Sequence, residues 1–213
     1  MSKYQQIIVT GIGTDVGKTV VSAILAQALK ASYWKPIQAG ELDNTDTMKV
    51  NFWTDQNVTV LPEAFRLESA ISPHAAAEKH GVKITKESLK LPDIKGNLVV
   101  EGAGGILVPV NYSGLLLVEL FHDWNLPIVV VSRHYVGSIN HTLLTIDYLK
   151  NKGFNISGIV FVGDENLPSE TLICSKTGLS MLARIPLTIK LDARFIQSQA
   201  KKISIEKLVF TEN

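Results

Sequence analysis

The chain has 213 residues, 46% of them hydrophobic, enough to bury one good core but hardly two. Its 21 basic and 20 acidic side chains leave a formal charge of +1, and no Lys/Arg block of the kind that tracks nucleic acid or anionic lipid is present. One cysteine (Cys174), an opening Met1–Gln6 without a secretory pattern, and no apolar run near the roughly 20 residues that span a bilayer predict a soluble, cytoplasmic protein with neither nucleic acid nor membrane as partner.

In chain order, Gln6–Thr10 reads as a first strand. Lys18–Lys30 follows as a helix with Val21, Ile24, Leu25, Ala28 and Leu29 on one stripe. Ser32–Lys35 is a weaker strand candidate, and the polar stretch Gly40–Thr59 reads as a loop followed by a short helix. Further strands are expected at Asn97–Val100, Pro127–Ser132 and Gly158–Val162. All of these runs are nearly continuous in apolar residues, as strands buried on both faces of a parallel sheet are. Ser138–Lys152 predicts a helix on Ile139, Leu143, Ile146 and Leu149. Another helix is expected over Ser169–Ala183, a short strand ends at Ile185, and Asp192–Lys202 is helix-like. No motif is legible in the tail Lys207–Asn213. Alternating strand and helix imply right-handed crossovers and an α/β fold, a single domain over residues 1–213 with a doubly wound, mostly parallel sheet. In such folds ligands lie outside the carboxyl ends of the strands.

Three motifs sit at those ends. Thr10-Gly11-Ile12-Gly13-Thr14-Asp15-Val16-Gly17-Lys18-Thr19 follows the first strand and opens the first helix. Its glycines let backbone N–H groups converge on an anion at the positive end of the helix; Lys18 can reach β- and γ-phosphates, and the Thr19 hydroxyl can ligate Mg²⁺. The strict G-x-x-x-x-G-K-[ST] spacing would place glycine where Ile12 stands, so this is a deviant phosphate loop on a P-loop NTPase-like fold. Glu101-Gly102-Ala103-Gly104-Gly105 ends another strand, where Glu101 can hold a second metal position and the glycines allow close ligand approach. Lys35-Pro36-Ile37-Gln38-Ala39-Gly40 places a lysine where it can stabilise charge on a transferring phosphoryl group or a carbamate, and Asp46 follows as a further metal candidate. The five histidines show no ligand spacing with Cys174 and no G-x-S-x-G elbow exists, which excludes zinc and serine-hydrolase chemistry. Tyr33, Trp34, Phe52, Trp53 and Phe65 read as packing residues.

In order and spacing these motifs resemble the dethiobiotin synthetase family, with further echoes at Ser72-Pro73-His74 and Gly137-x-Ile139-Asn140-His141; the resemblance spans roughly residues 7–187. It implies an ATP-dependent cyclo-ligase that takes 7,8-diaminononanoate and CO₂ or bicarbonate, with two Mg²⁺ ions, in a homodimer. The nucleotide would then lie on Gly13, Thr14, Asp15, Val16, Gly17, Lys18, Thr19 and Val20, on Asp46, Glu101, Gly102, Ala103 and Gly104, and on Val162, Gly163, Pro186 and Leu187. Thr19, Asp46 and Glu101 would hold metal, and Lys18 and Lys35 would be catalytic. Thr14, Lys35, Ala39, Gly104 and Gly105 would meet the substrate, with Ser138 and Asn140 of a second copy receiving its distant carboxylate. This chain departs from the family at Ala39, where a Ser or Thr often stands, and at Val162, where members carry an adenine-reading Asn. A ParA/MinD-type ATPase switch is the alternative; that class places a lysine early in its loop, and Gly11–Asp15 contains none. A cobyrinate-amidase-like synthetase is excluded, since 213 residues leave no room for a glutaminase domain.

Overall fold

A computed structural model describes residues 4–208. The first unit is β1 (Gln6–Gly11), α1 (Lys18–Leu29) and β2 (Ser32–Trp34), followed by β3 (Ile37–Ala39), α2 (Asp46–Trp53), β4 (Thr59–Val60), β5 (Phe65–Leu67) and α3 (Pro73–Lys79). Then come β6 (Leu98–Glu101), α4 (Leu117–Trp124), β7 (Ile128–Arg133), α5 (Ser138–Asn151), β8 (Ile156–Val162), α6 (Leu167–Thr177), β9 (Met181–Ile185) and α7 (Ala193–Ala200).

The main sheet runs β4-β2-β6-β1-β7-β8-β9, and every neighbouring pair is parallel. The apolar runs are continuous because both faces are covered. Ile7 and Val9 point to a core shared with Ile24, Leu25 and Ile196 of α1 and α7; Ile8, between them, points to a second core with Phe121 of α4 and Leu149 of α5. The strand order reverses beside β1, so the turns after β1, β2, β6 and β7 open at one edge, the place where such sheets take ligands. A separate two-stranded sheet, β3 with β5, carries the chain from Lys35 toward Asp46.

Most expected elements are found within a residue or two of their limits. The expected helix Ser169–Ala183 is not: α6 stops at Thr177, where Gly178 takes a left-handed conformation (φ 65°) and its N–H caps the Cys174 carbonyl. Residues 181–183 belong instead to β9, paired with β8. Strands β3, β4 and β5 and helices α3 and α4 add to the elements expected. The tail Lys207–Asn213 lies largely outside the described residues.

Candidate nucleotide and metal site

The turn between β1 and α1 is shaped by what its glycines permit. A Cβ on Gly11 would stand 2.5 Å from Cγ2 of Val16, which tucks into the core, so only glycine lets the loop fold back this closely. Gly17 caps α1 at φ 94°, a conformation costly for any side chain. Among the described residues, no backbone N–H from Gly13 to Val20 donates a hydrogen bond. These donors, at the positive end of α1, form a cradle for an anion.

Lys18 is buried at the foot of the cradle (7% exposed), where its Nζ donates to the Gly13 carbonyl at 2.7 Å. Burial pushes the ammonium down from 10.5 to about 8, against the pull of Glu101. A cation held in so little water gains strongly from a phosphate.

Beside it lies an acidic cluster. Glu101 is fully buried at the end of β6; its Oε1 accepts from Thr19 Oγ1 at 2.9 Å and Lys35 Nζ at 3.2 Å, and its Oε2 accepts from the Tyr33 hydroxyl at 2.8 Å. Lys35 also donates to Asp46, the first residue of α2, whose N-cap Thr45 accepts from the Met48 N–H. Burial alone would lower Lys35, but Glu101 and Asp46 outweigh it and the ammonium is raised. Burial likewise pushes Asp46 up, and Lys35 overrides it, so the carboxylate is lowered. Burial first, and then Glu101, holds the Tyr33 phenol well above its usual range. Lys35 therefore stays cationic and Asp46 stays anionic beside it.

No group of three or more His, Cys, Asp or Glu side chains among the described residues is arranged to hold a metal. An ion at Asp46 and Glu101 must therefore take its other ligands from Thr19, water and phosphate. Mg²⁺ binds in that manner, so the donor set fits it.

An open cavity of about 1170 Å³ joins these groups, with Thr14, Asp15, Gly17, Thr19, Val20 and Ala39 among its lining and Lys18, Lys35, Asp46, Glu101, Ala103 and Gly104 on its other walls. Gly13 and Gly105 meet behind the cradle, where a Cβ on Gly105 would lie 3.8 Å from Gly13 Cα, and Gly102 is buried against Phe121. Val162 does not face the cavity: it is 6% exposed and packs beneath Gly17, whose added Cβ would meet its methyl groups at 3.3 Å. Gly163 is buried next to His134, while Pro186 and Leu187 are exposed after β9; none of the three lines the cavity. Ser138 is buried at the start of α5 and Asn140 is exposed there, both outside this cavity.

Sequence reasoning missed Tyr33 and Arg133. Tyr33 looked like packing, but a phenol in a central strand needs a partner, and that rule was the available signal. Arg133 ends β7 as the charged residue closing an apolar run, and it lines the same cavity.

An AAA-domain family model matches residues 5–194. The ATP-dependent dethiobiotin synthetase BioD of Rhodopseudomonas palustris (strain BisB18) is 45% identical over 97% of this chain and 98% of its own length. The BioD proteins of Christiangramia forsetii (45%; 91% and 93% covered) and Cytophaga hutchinsonii (42%; 95% and 97%) are similar. Among solved structures, the cell-division ATPase MinD of Pyrococcus furiosus superposes with a TM-score of 0.59 at 18% identity, covering 98% of this chain and 100% of its own. The Pyrococcus horikoshii MinD complexed with Mg-ADP gives 0.60 at 14% identity, covering 93% and 95%. These likenesses show a shared P-loop fold, and identity of 42–45% along nearly the whole length shows more: the chain belongs to the dethiobiotin synthetase family.

Proposed function

We propose that residues 1–213 act as one P-loop NTPase-like domain that closes the ureido ring of dethiobiotin from 7,8-diaminononanoate, CO₂ and ATP. The observation that carries this reading is the junction of two devices in one cavity. The free N–H cradle suits a nucleotide triphosphate, and the Lys35–Asp46–Glu101–Thr19 cluster suits a reaction that builds negative charge beside it.

In the reaction an amine nitrogen adds to the carbon of CO₂ and loses a proton, giving a carbamate. A carbamate oxygen then takes the γ-phosphoryl group as the bond from phosphorus to the ADP oxygen breaks. The second amine attacks the carbamoyl carbon and loses a proton, the carbon–oxygen bond to phosphate breaks, and the ring closes. Lys18 holds the phosphates, and Lys35, kept cationic by its two carboxylates, offsets charge on the carbamate and the transferring group. Thr19, Asp46 and Glu101 are the residues to hold Mg²⁺, with two ions expected. When bound, the metal neutralises phosphate charge and polarises the phosphoryl oxygens. Thr14, Ala39 and Gly104 border the diamine, with Gly105 in the turn behind them. With Val162 beneath the loop, contacts to the base fall to Gly163, Pro186 and Leu187.

Ser138 and Asn140 lie away from this cavity, which supports delivery of the start of α5 by a second copy to hold the substrate's carboxylate. A partner-responsive ATPase is the competing reading, and only the shared fold favours it. Phosphate release separates the two: the synthetase reading expects it to require the diamine, and equal release without diamine would overturn that reading.

A further inference from the structure

We propose that Arg133 is a positioning residue of the nucleotide site. By donating to the Asp15 carbonyl, it holds the tip of the phosphate loop in the conformation that keeps the cradle open. This inference rests on the reading of that loop as a nucleotide site.

Asp15 is in the left-handed region at φ 55°, which L side chains avoid and glycine adopts freely. Aspartate bears it better than most, and a contact from outside the residue adds to the preference. The Nη1 of Arg133 donates to the Asp15 carbonyl at 3.1 Å, across 118 residues of sequence. No other side chain among the described residues hydrogen-bonds the loop backbone between Thr14 and Gly17. Arg133 is well placed for this because it ends β7, the strand that pairs with β1: Val131 registers with Gly11, and the Ile12 N–H donates to the Val131 carbonyl at 3.1 Å. The loop and its brace thus spring from adjoining central strands.

The consequence for the cradle follows from the planar peptide. Carbonyl and N–H point opposite ways across a trans bond, so fixing the Asp15 carbonyl also fixes the direction of the Val16 N–H. The guanidinium is suited to the task in a second respect. No carboxylate among the described residues pairs with Arg133, and the Asp15 carbonyl is its one hydrogen bond there, so no competing partner draws it off the loop.

A double-mutant cycle on Mg-ADP binding, measured by calorimetry, tests the assignment. Arg133→Ala is expected to weaken binding about tenfold, the scale of one charge-assisted hydrogen bond. In the Asp15→Gly background, where the left-handed conformation costs little, the same substitution should change binding by less than about threefold. Melting temperatures measured alongside separate loss of fold from loss of cradle geometry. If Arg133→Ala does not fold, Arg133→Lys carries the same comparison with a smaller expected loss, since lysine lacks the rigid fork. Unchanged binding in the single variant would overturn the proposal, and so would a loss that persists in full in the glycine background, which would mean that Arg133 meets the phosphates itself. Failure of the parent protein to bind Mg-ADP would overturn the nucleotide-site reading, and this inference with it.

Discussion

Lys35→Gln is the substitution that most sharply separates chemistry from binding. The lysine is 6% exposed and neutralises a fully buried Glu101 and a partly buried Asp46. Glutamine keeps most of the volume and removes the charge. If Lys35 offsets charge that develops only during phosphoryl transfer, turnover should fall by about 10²–10³-fold, the scale for one preorganised donor. Nucleotide affinity should change far less, because Lys18 and the loop N–H groups are untouched. The same change leaves two carboxylates without their shared cation. Breaking a buried ion pair costs about 3–5 kcal/mol. Glu101 retains Thr19 and Tyr33 as donors and Asp46 retains Lys49 at 3.5 Å, so the lower end applies. That is equivalent to a melting temperature lower by roughly 10 °C in a chain of this size. Added Mg²⁺ should recover part of it, since a dication replaces the lost charge between the same oxygens. Single-turnover rates, Mg-ADP affinity and melting curves on parent and variant give all three numbers. Turnover within about threefold of the parent would refute the reasoning, as would a loss of nucleotide affinity as large as the loss of turnover.

Lys18 links binding to pH: with its folded value at about 8 against 10.5 unfolded, the folded chain holds fewer protons between those limits, so its stability without nucleotide should rise across that window. Affinity for Mg-ADP should fall over the same range, because a neutral amine does not attract phosphate, and a flat affinity from pH 7 to 9.5 would contradict this. Glu170 gives a slope of the same sign in an acidic window. Its carboxyl is held at about 2 against 4.5 by hydrogen bonds from Arg184 and then His134, so the pair's contribution is present above 4.5 and lost as pH falls toward 2. Arg184→Met should therefore cost about 2–3 kcal/mol at pH 7 and flatten acid unfolding in that window, which denaturant titrations at several pH values will show. For the start of α5, Asn140→Asp should raise KM for the diamine about tenfold by repelling its carboxylate, with kcat little changed. Sedimentation should find a dimer at assay concentrations, and a fully active monomer would contradict the shared site.

The phosphate loop, the central strands and the two lysines were legible because each rests on local chemistry: continuous β-branched runs, glycines at fixed offsets, and Lys-Thr at a helix start. What escaped depends on contacts distant in sequence. Nothing near Tyr33 announces that its hydroxyl meets Glu101 across the neighbouring strand, 68 residues away. Arg133 reads as a strand end until β7 is set beside β1. The family resemblance implied a base-side role for Val162, but the direction of a side chain depends on strand register, and the register with Arg133 and Ile185 turns Val162 under Gly17. The overlong helix at Ser169–Ala183 failed for a local reason. Gly178 was available as a stop signal, and the apolar residues beyond it belong to an edge strand. The three-residue strands β3 and β5 are too short for any periodicity to show.

Incorporation of labelled bicarbonate into an acid-stable product tests the central claim most directly, since a carbamate loses CO₂ in acid and a closed ureido ring does not. Label should be retained only when 7,8-diaminononanoate, ATP and Mg²⁺ are all present, one phosphate being released for each label fixed. ATP hydrolysis at full rate with no acid-stable label would contradict the account.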